Sequence, residues 1–206
     1  MLITEITELD KKRCKIFIDG EYAFVLYKGE IRDYRIKSGE EISESIYDEI
    51  ISAVLPKRAK LRAMNLLQKK DYTEKQLRNK LSEGLYPADI IDDAISYVKS
   101  YKYLDDDRYA RDYITYHMDS RSRSRITQDL AGKGISKELI ATAMDELYAD
   151  DDGSSEIEQI RLLLVKKHYD PENSDYKEKQ KIMAFLMRKG YSMSLIRKAM
   201  SVDEFE

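Results

Sequence analysis

The chain has 206 residues, of which 42% are hydrophobic and 36% charged, with 36 Lys+Arg against 39 Asp+Glu and a net charge of −3. That length holds one or two compact domains. The charge balance excludes a protein held to nucleic acid by bulk positive charge and leaves room only for a local basic face. With 3 Pro and 8 Gly, collagen-like and linker-rich classes are excluded and helices are favoured.

The first stretch reads as β. Lys15-Ile16-Phe17-Ile18 and Tyr22-Ala23-Phe24-Val25-Leu26 flank Asp19-Gly20, a two-residue hairpin signal because both central positions need φ > 0. Leu2 to Ile6 offers a third strand, and Arg35 to Glu40 either a pairing segment or a turn. This module, residues 1–42, is too small to stand alone and is expected to lean on the helices after it. Cys14, the sole cysteine, lies in the apolar run and reads as a buried thiol; it excludes an internal disulfide and a cysteine zinc cluster.

From Ser43, a candidate N-cap, the pattern is helical. Ile46, Ile50, Ile51 and Val54 recur at helical spacing over a connecting helix, 43–56, that Pro56 is expected to stop while starting the next. An internal repeat comes next. Leu77, Leu81, Leu85, Ile91, Ala94 and Ile95 make one copy. Ile126, Leu130, Gly134, Ile140, Ala143 and Met144 make the second, and Ile182, Leu186, Gly190, Ile196, Ala199 and Met200 the third. The copies begin 49 and 56 residues apart.

Gly134 and Gly190, with Gly84 one place early, read as left-handed helix stops. Leading helices at 57–70, 107–118 and 156–168 complete the units. The fold class is therefore mainly α: three tandem three-helix repeats, 57–103, 104–149 and 150–206, in an elongated array that curvature suits, with the small N-terminal β module. Thr73-Glu74-Lys75-Gln76 and Ser155-Glu156-Ile157-Glu158 resemble capping boxes, and residues 150–154 read as a hinge.

Catalytic and metal chemistry find little support. His117 and His168 have no partner at ligand spacing and read as partly exposed helix residues. Gly132-Lys133-Gly134 lacks the strand and spacing of a phosphate loop. A calcium loop centred on Gly153 would put Tyr148 and Gln159 at ligand positions that need strong oxygen donors. Asp105-Asp106-Asp107 suits a helix N-terminus. No cofactor, metal or enzymatic activity is expected.

Binding remains. Residues 58–147 are the only net-basic part of the chain. Arg58 and Arg62, then Arg78 and Lys80, mark the first repeat; Arg121, Arg123 and Arg125 alternate with serines at a loop-to-helix junction, where guanidiniums beside free N–H groups hold phosphate or carboxylate. Most of the 16 tyrosines read as packing residues. No apolar run approaches the roughly 18 residues of a membrane span, and Glu5 comes too early for a signal peptide, so a soluble cytoplasmic protein is expected.

Thr73 to Leu81, Tyr103-Leu104-Asp105-Asp106-Asp107-Arg108-Tyr109-Ala110, and Arg125 to Ile135 together resemble the RecX regulatory family, in the form with an extra N-terminal segment. Two positions depart from its pattern: Lys102, where a glycine often precedes the tyrosine, and the early Gly84. The resemblance implies three tandem three-helix repeats and, as partners, the RecA recombinase and its single-strand nucleoprotein filament. RecX-like proteins restrain ATPase, strand exchange and coprotease activity by lying in the filament groove. By position it adds Arg108 and Lys133 to the candidate contacts, alongside Arg78, Lys80 and Arg125. Weak direct DNA contact and a monomer are further expectations; a helical protein acting directly on DNA is the alternative.

Overall fold

The computed structural model describes residues 1–201. The chain divides into two compact units between Asp105 and Asp106.

The first unit opens with a three-stranded antiparallel meander, β1 (Ile3–Glu8), β2 (Arg13–Ile18) and β3 (Glu21–Tyr27). Cys14, Ile16 and Ile18 alternate inward along β2, so one sheet face is buried. Asp19 (φ 50) and Gly20 (φ 91) make the tight turn between β2 and β3. The Asp19 carboxylate accepts the Leu2 N–H at 2.9 Å. Residues 39–41 run along the free edge of β1: Gly39 N–H donates to the Ile3 carbonyl at 2.8 Å and Ile3 N–H to that of Glu40 at 3.0 Å.

A short helix, α1 (Lys28–Asp33), succeeds β3; the sequence reading did not anticipate it. Its Glu30 carboxylate turns back to accept the Tyr27 N–H at 2.7 Å, which closes the helix start.

Ser43 caps α2 (Glu44–Glu49), accepting the Ile46 N–H. The expected stop at Pro56 does not occur. The chain passes through a π-helical turn, Ile50–Val54, straight into α3 (Leu55–Leu67), with Pro56 in its first turn. A proline ring collides with the carbonyl four residues back in an α-helix, and the wider π turn relieves that collision without ending the rod.

With α4 (Glu74–Ser82) and α5 (Ala88–Ser100), α3 forms the first repeat, in which α3 and α5 share the broadest interface. Thr73, fully buried, caps α4 in the expected box with Gln76. One apolar core runs unbroken from Ile16, Phe24 and Leu26 of the sheet to Leu77, Leu81 and Ile95 of the repeat. The left-handed residue after α4 is Leu85 (φ 61), not Gly84. A Cβ on Gly84 would lie 2.9 Å from the Tyr86 ring, so that glycine makes room for a side chain. Lys102 (φ 56) likewise holds a left-handed turn without glycine, at a cost of about 1–2 kcal/mol.

The second unit carries the other two repeats: α6 (Asp106–His117), α7 (Arg123–Gly132) and α8 (Lys137–Leu147), then α9 (Ser154–Lys166), α10 (Tyr176–Arg188) and α11 (Met193–Met200). First and third helices again pack most closely in each. Gly134 and Gly190, both at φ 93, stop α7 and α10 as expected. Ser122 and Ser136 cap α7 and α8, and Ser192 caps α11. The two repeats have separate apolar cores, one around Ile114, Ile126 and Leu130, the other around Ile160, Leu186 and Ile196.

The capping box expected at Ser155 is absent. Gly153 (φ 95) stands at the N-cap of α9, and the Asp151 carboxylate accepts the N–H groups of Gly153 at 3.0 Å and Ser155 at 3.3 Å. Glu156 is drawn away to α7, where it accepts the Arg123 N–H at 3.0 Å.

Candidate functional site

The candidate contact residues divide by what their charged heads already touch. In the first unit Arg58 reaches back to the β module. Its guanidinium pairs with Glu30 at 3.0 Å, donates to the Val25 carbonyl at 2.8 Å, and lies over the Tyr27 ring at 5.1 Å. Only 15% of that side chain is exposed. Arg78 spans Glu74 at 2.8 Å and Asp92 at 2.5 Å; the Asp92 and then the Glu74 hydrogen bonds hold its pKa above the ordinary guanidinium value. Lys80 pairs with Glu83 at 2.7 Å. Arg62 is exposed.

In the second unit Arg123 is likewise committed to the fold. It donates to the Asp151 carbonyl at 2.9 Å, pairs with the Asp151 carboxylate at 2.7 Å, and stacks over the Tyr148 ring at 4.2 Å. Burial opposes ionisation of Asp151, yet the Ser155 hydroxyl, Arg123 and two backbone N–H groups together hold its carboxyl well below the usual range. Residues 150–154, expected as a hinge, are thereby tied down. Burial pushes the Tyr148 phenol up to about 12, with Arg123 opposing, and its hydroxyl has no hydrogen-bond partner among the described residues.

The joint between repeats two and three continues through uncharged groups. The buried Ser122 hydroxyl donates to the Lys189 carbonyl at 2.7 Å, and the Gln159 amide donates to the Met118 carbonyl at 2.6 Å. The Tyr191 hydroxyl in turn donates to Gln159 at 2.9 Å. Gly190 fits so closely that a Cβ there would stand 2.5 Å from Ser122 Oγ.

Beside this joint opens a cleft of about 510 Å³. Arg121 and Arg125 face it from the α7 junction, Arg188 and Lys189 from the end of α10, and Leu162 and Leu163 from α9; Asp119 is the one carboxylate among its described lining residues. Arg121 and Arg125 are steadied from behind by Asp129, at 2.7 and 3.1 Å, which also accepts the Tyr113 hydroxyl at 3.2 Å. Arg188 and Lys189 form no ion pair with any described residue.

Of the expected contacts, the fold thus gathers Arg121 and Arg125 at one cleft and places Arg58, Arg62, Arg78 and Lys80 elsewhere. Lys133 lies over the Tyr113 ring at 5.2 Å, and Arg108 is exposed on α6. Sequence reading missed Arg188 and Lys189. The signal was present in Arg188-Lys189-Gly190, the counterpart of Gly132-Lys133-Gly134, but basic residues at a helix C-terminus are common enough to pass as dipole partners. His117 is half-buried against the Tyr113 ring at 4.3 Å; burial first, and then Arg121, lower its pKa. Among the described residues no group of three or more His, Cys, Asp or Glu gathers as a metal site, and no helix is long and apolar enough to cross a membrane.

Three-helix units in tandem, with a basic cleft at one joint, define a helical-repeat protein. The comparisons with known proteins are specific. Models of the first, second and third three-helix domains of RecX match residues 59–97, 105–144 and 154–200. The regulatory protein RecX of Caldanaerobacter subterraneus subsp. tengcongensis is 33% identical over 98% of this chain and all of its own length. That of Clostridium beijerinckii is 30% identical over 97% of this chain and 95% of its own. The chain belongs to the RecX family of regulatory proteins.

A crystal structure of a regulatory protein RecX shares the fold with TM-score 0.64 at 24% identity, over 96% of this chain and 98% of the other. RecX from Lactobacillus salivarius does so with TM-score 0.62 at 24% identity, over 71% of this chain and 95% of the other.

Proposed function

We propose that the chain binds the RecA recombinase and its nucleoprotein filament and restrains ATP hydrolysis, strand exchange and coprotease activity by occupying the filament groove. It performs no chemistry of its own in this reading. The observation that carries it is family membership through all three repeats, at about 30% identity to regulatory proteins over nearly the whole chain.

We rank the candidate contacts by what each cation already holds within the fold. Arg58 and Arg123, each held by a carboxylate, a carbonyl and a tyrosine ring, rank last. Arg121 and Arg125, joined by Arg188 and Lys189, rank first; Arg62, Arg78, Lys80, Arg108 and Lys133 stay as peripheral candidates. The test is single-strand-dependent ATPase of the cognate RecA. Added near stoichiometrically, the protein lowers the rate, and Arg125→Glu with Arg188→Glu relieves that inhibition while leaving helicity intact. An ATPase rate indifferent to the protein sinks the reading.

A further inference from the structure

The walls of the cleft beside the joint carry two kinds of surface, and the groove-binding reading uses only one of them. One wall is cationic: Arg121, Arg125, Arg188 and Lys189, against Asp119, the single carboxylate among the described lining residues, and the supporting Asp129. The other is aliphatic. Leu162 and Leu163 line the cleft from α9, Leu162 at 61% exposure. Large aliphatic side chains standing in water beside a concave basic surface mark an interaction site.

The chemistry of the occupant can be read from that mixture. A phosphodiester strand would use the cations, but it asks for aromatic faces on which bases stack. Among the described lining residues the one aromatic, Tyr191, is buried, with its hydroxyl spent on Gln159. Leucine side chains have nothing to give a sugar-phosphate backbone. They do suit an apolar side chain set among carboxylates.

We infer that this cleft receives an acidic protein segment carrying an apolar anchor residue, with carboxylates on the arginines and Lys189 and the anchor against Leu162. The inference deepens the proposed function and rests on it only in taking the partner to be a protein. Fork-shaped guanidiniums pair carboxylates bidentately. Asp129 fixes Arg121 and Arg125 in place before binding, which lowers the ordering cost.

The test uses the full chain and three fluorescent probes: a short glutamate peptide with one central leucine, the same peptide with serine there, and an oligothymidylate of matched charge. Anisotropy should show the leucine peptide binding about tenfold or more tighter than either other probe, since burying one leucine is worth at least that. Leu162→Ser should bring the leucine peptide down to the serine peptide and leave the latter unchanged. Arg188→Ala should weaken both.

Equal affinity for the two peptides, preference for the oligothymidylate, or no binding of any probe overturns the inference. Circular dichroism melting of each variant guards against a folding defect. Selective peptide binding with no effect on RecA ATPase removes the proposed function alone, and restrained ATPase without peptide selectivity removes the cleft assignment alone.

Discussion

The sheet–repeat junction of the first unit and the repeat–repeat joint of the second solve the same problem differently. Each has an arginine near the start of a repeat helix, a carboxylate partner, a carbonyl acceptor and a tyrosine ring beneath. In each the Nε is buried without a hydrogen bond. Yet Arg58 clasps two modules that share one apolar core, whereas Arg123 clasps repeats whose cores are separate. A shared core cannot open without exposing apolar area on both sides. A polar joint between closed cores can shift while both stay packed. The first junction is expected to open as one cooperative block, and the second, a polar seam, to give way at its fastenings before either core opens.

Gly190→Ala should strike that seam hardest. A side chain at φ 93 is strained, and this one would stand 2.5 Å from Ser122 Oγ and 3.2 Å from the Arg125 backbone nitrogen. The expected loss is about 3 kcal/mol or more. Hydrogen exchange should show it in α9–α11 and leave β1–β3 and α3–α5 unchanged; protection lost equally in both units would refute the separation.

The arginine pair gives the sharpest contrast. Removing either takes the cationic partner from a half-buried carboxylate, at about 2 kcal/mol after allowance for partial exposure and the remaining donors. Arg58→Ala should lower protection throughout the first unit together. Arg123→Ala should free amides 150–156 while the interiors of α6–α8 and α9–α11 keep theirs.

Acid should act on the same seam. The Asp151 pKa is depressed in the folded state, so its contribution is complete above the range where an unfolded aspartate protonates, near about 3.9. It is lost as pH falls through the lower folded value. An acid titration of the 150–156 amides should therefore show opening that Arg123→Ala weakens but does not remove, because Ser155 and two backbone N–H groups still hold the Asp151 carboxylate.

The smallest effects lie in two phenols. Burial raises both Tyr148 and Tyr191 to about 12. Stability in the second unit should fall as pH rises from about 10, where unfolded tyrosine ionises, toward that value. Tyr191→Phe removes a made hydrogen bond and should cost about 1 kcal/mol. Tyr148→Phe removes a hydroxyl that has no partner among the described residues and should be neutral or slightly stabilising, as urea denaturation would read.

Local rules carried most of the fold into the sequence. The hairpin at Asp19-Gly20, the caps at Ser43 and Thr73 and the glycine stops at Gly134 and Gly190 all depend on residues a few places apart, and each is found. What escaped needed distant partners or tertiary compensation. The α1 helix closes through Glu30, which also serves Arg58 from 28 residues away. The π turn and the left-handed Leu85 break local preference, and Leu85 is held by the Tyr22 hydroxyl on its carbonyl at 2.7 Å.

The site was half legible for the same reason. Arg121, Arg123 and Arg125 look alike in sequence, and only the pairing of Arg123 with Asp151, 28 residues on, sets it apart. Arg188 joins the cleft through a fold contact that no spacing encodes.

The seam's choice of acceptors bears on how such a chain tolerates mutation. Ser122, Gln159 and Arg123 each send a hydrogen bond to a main-chain carbonyl, those of Lys189, Met118 and Asp151. A carbonyl is supplied by any amino acid. Met118 and Lys189 are thus open to drift as far as this fastening is concerned, while the three donors are not, so divergent relatives can keep the same articulation with quite different residues on its receiving side.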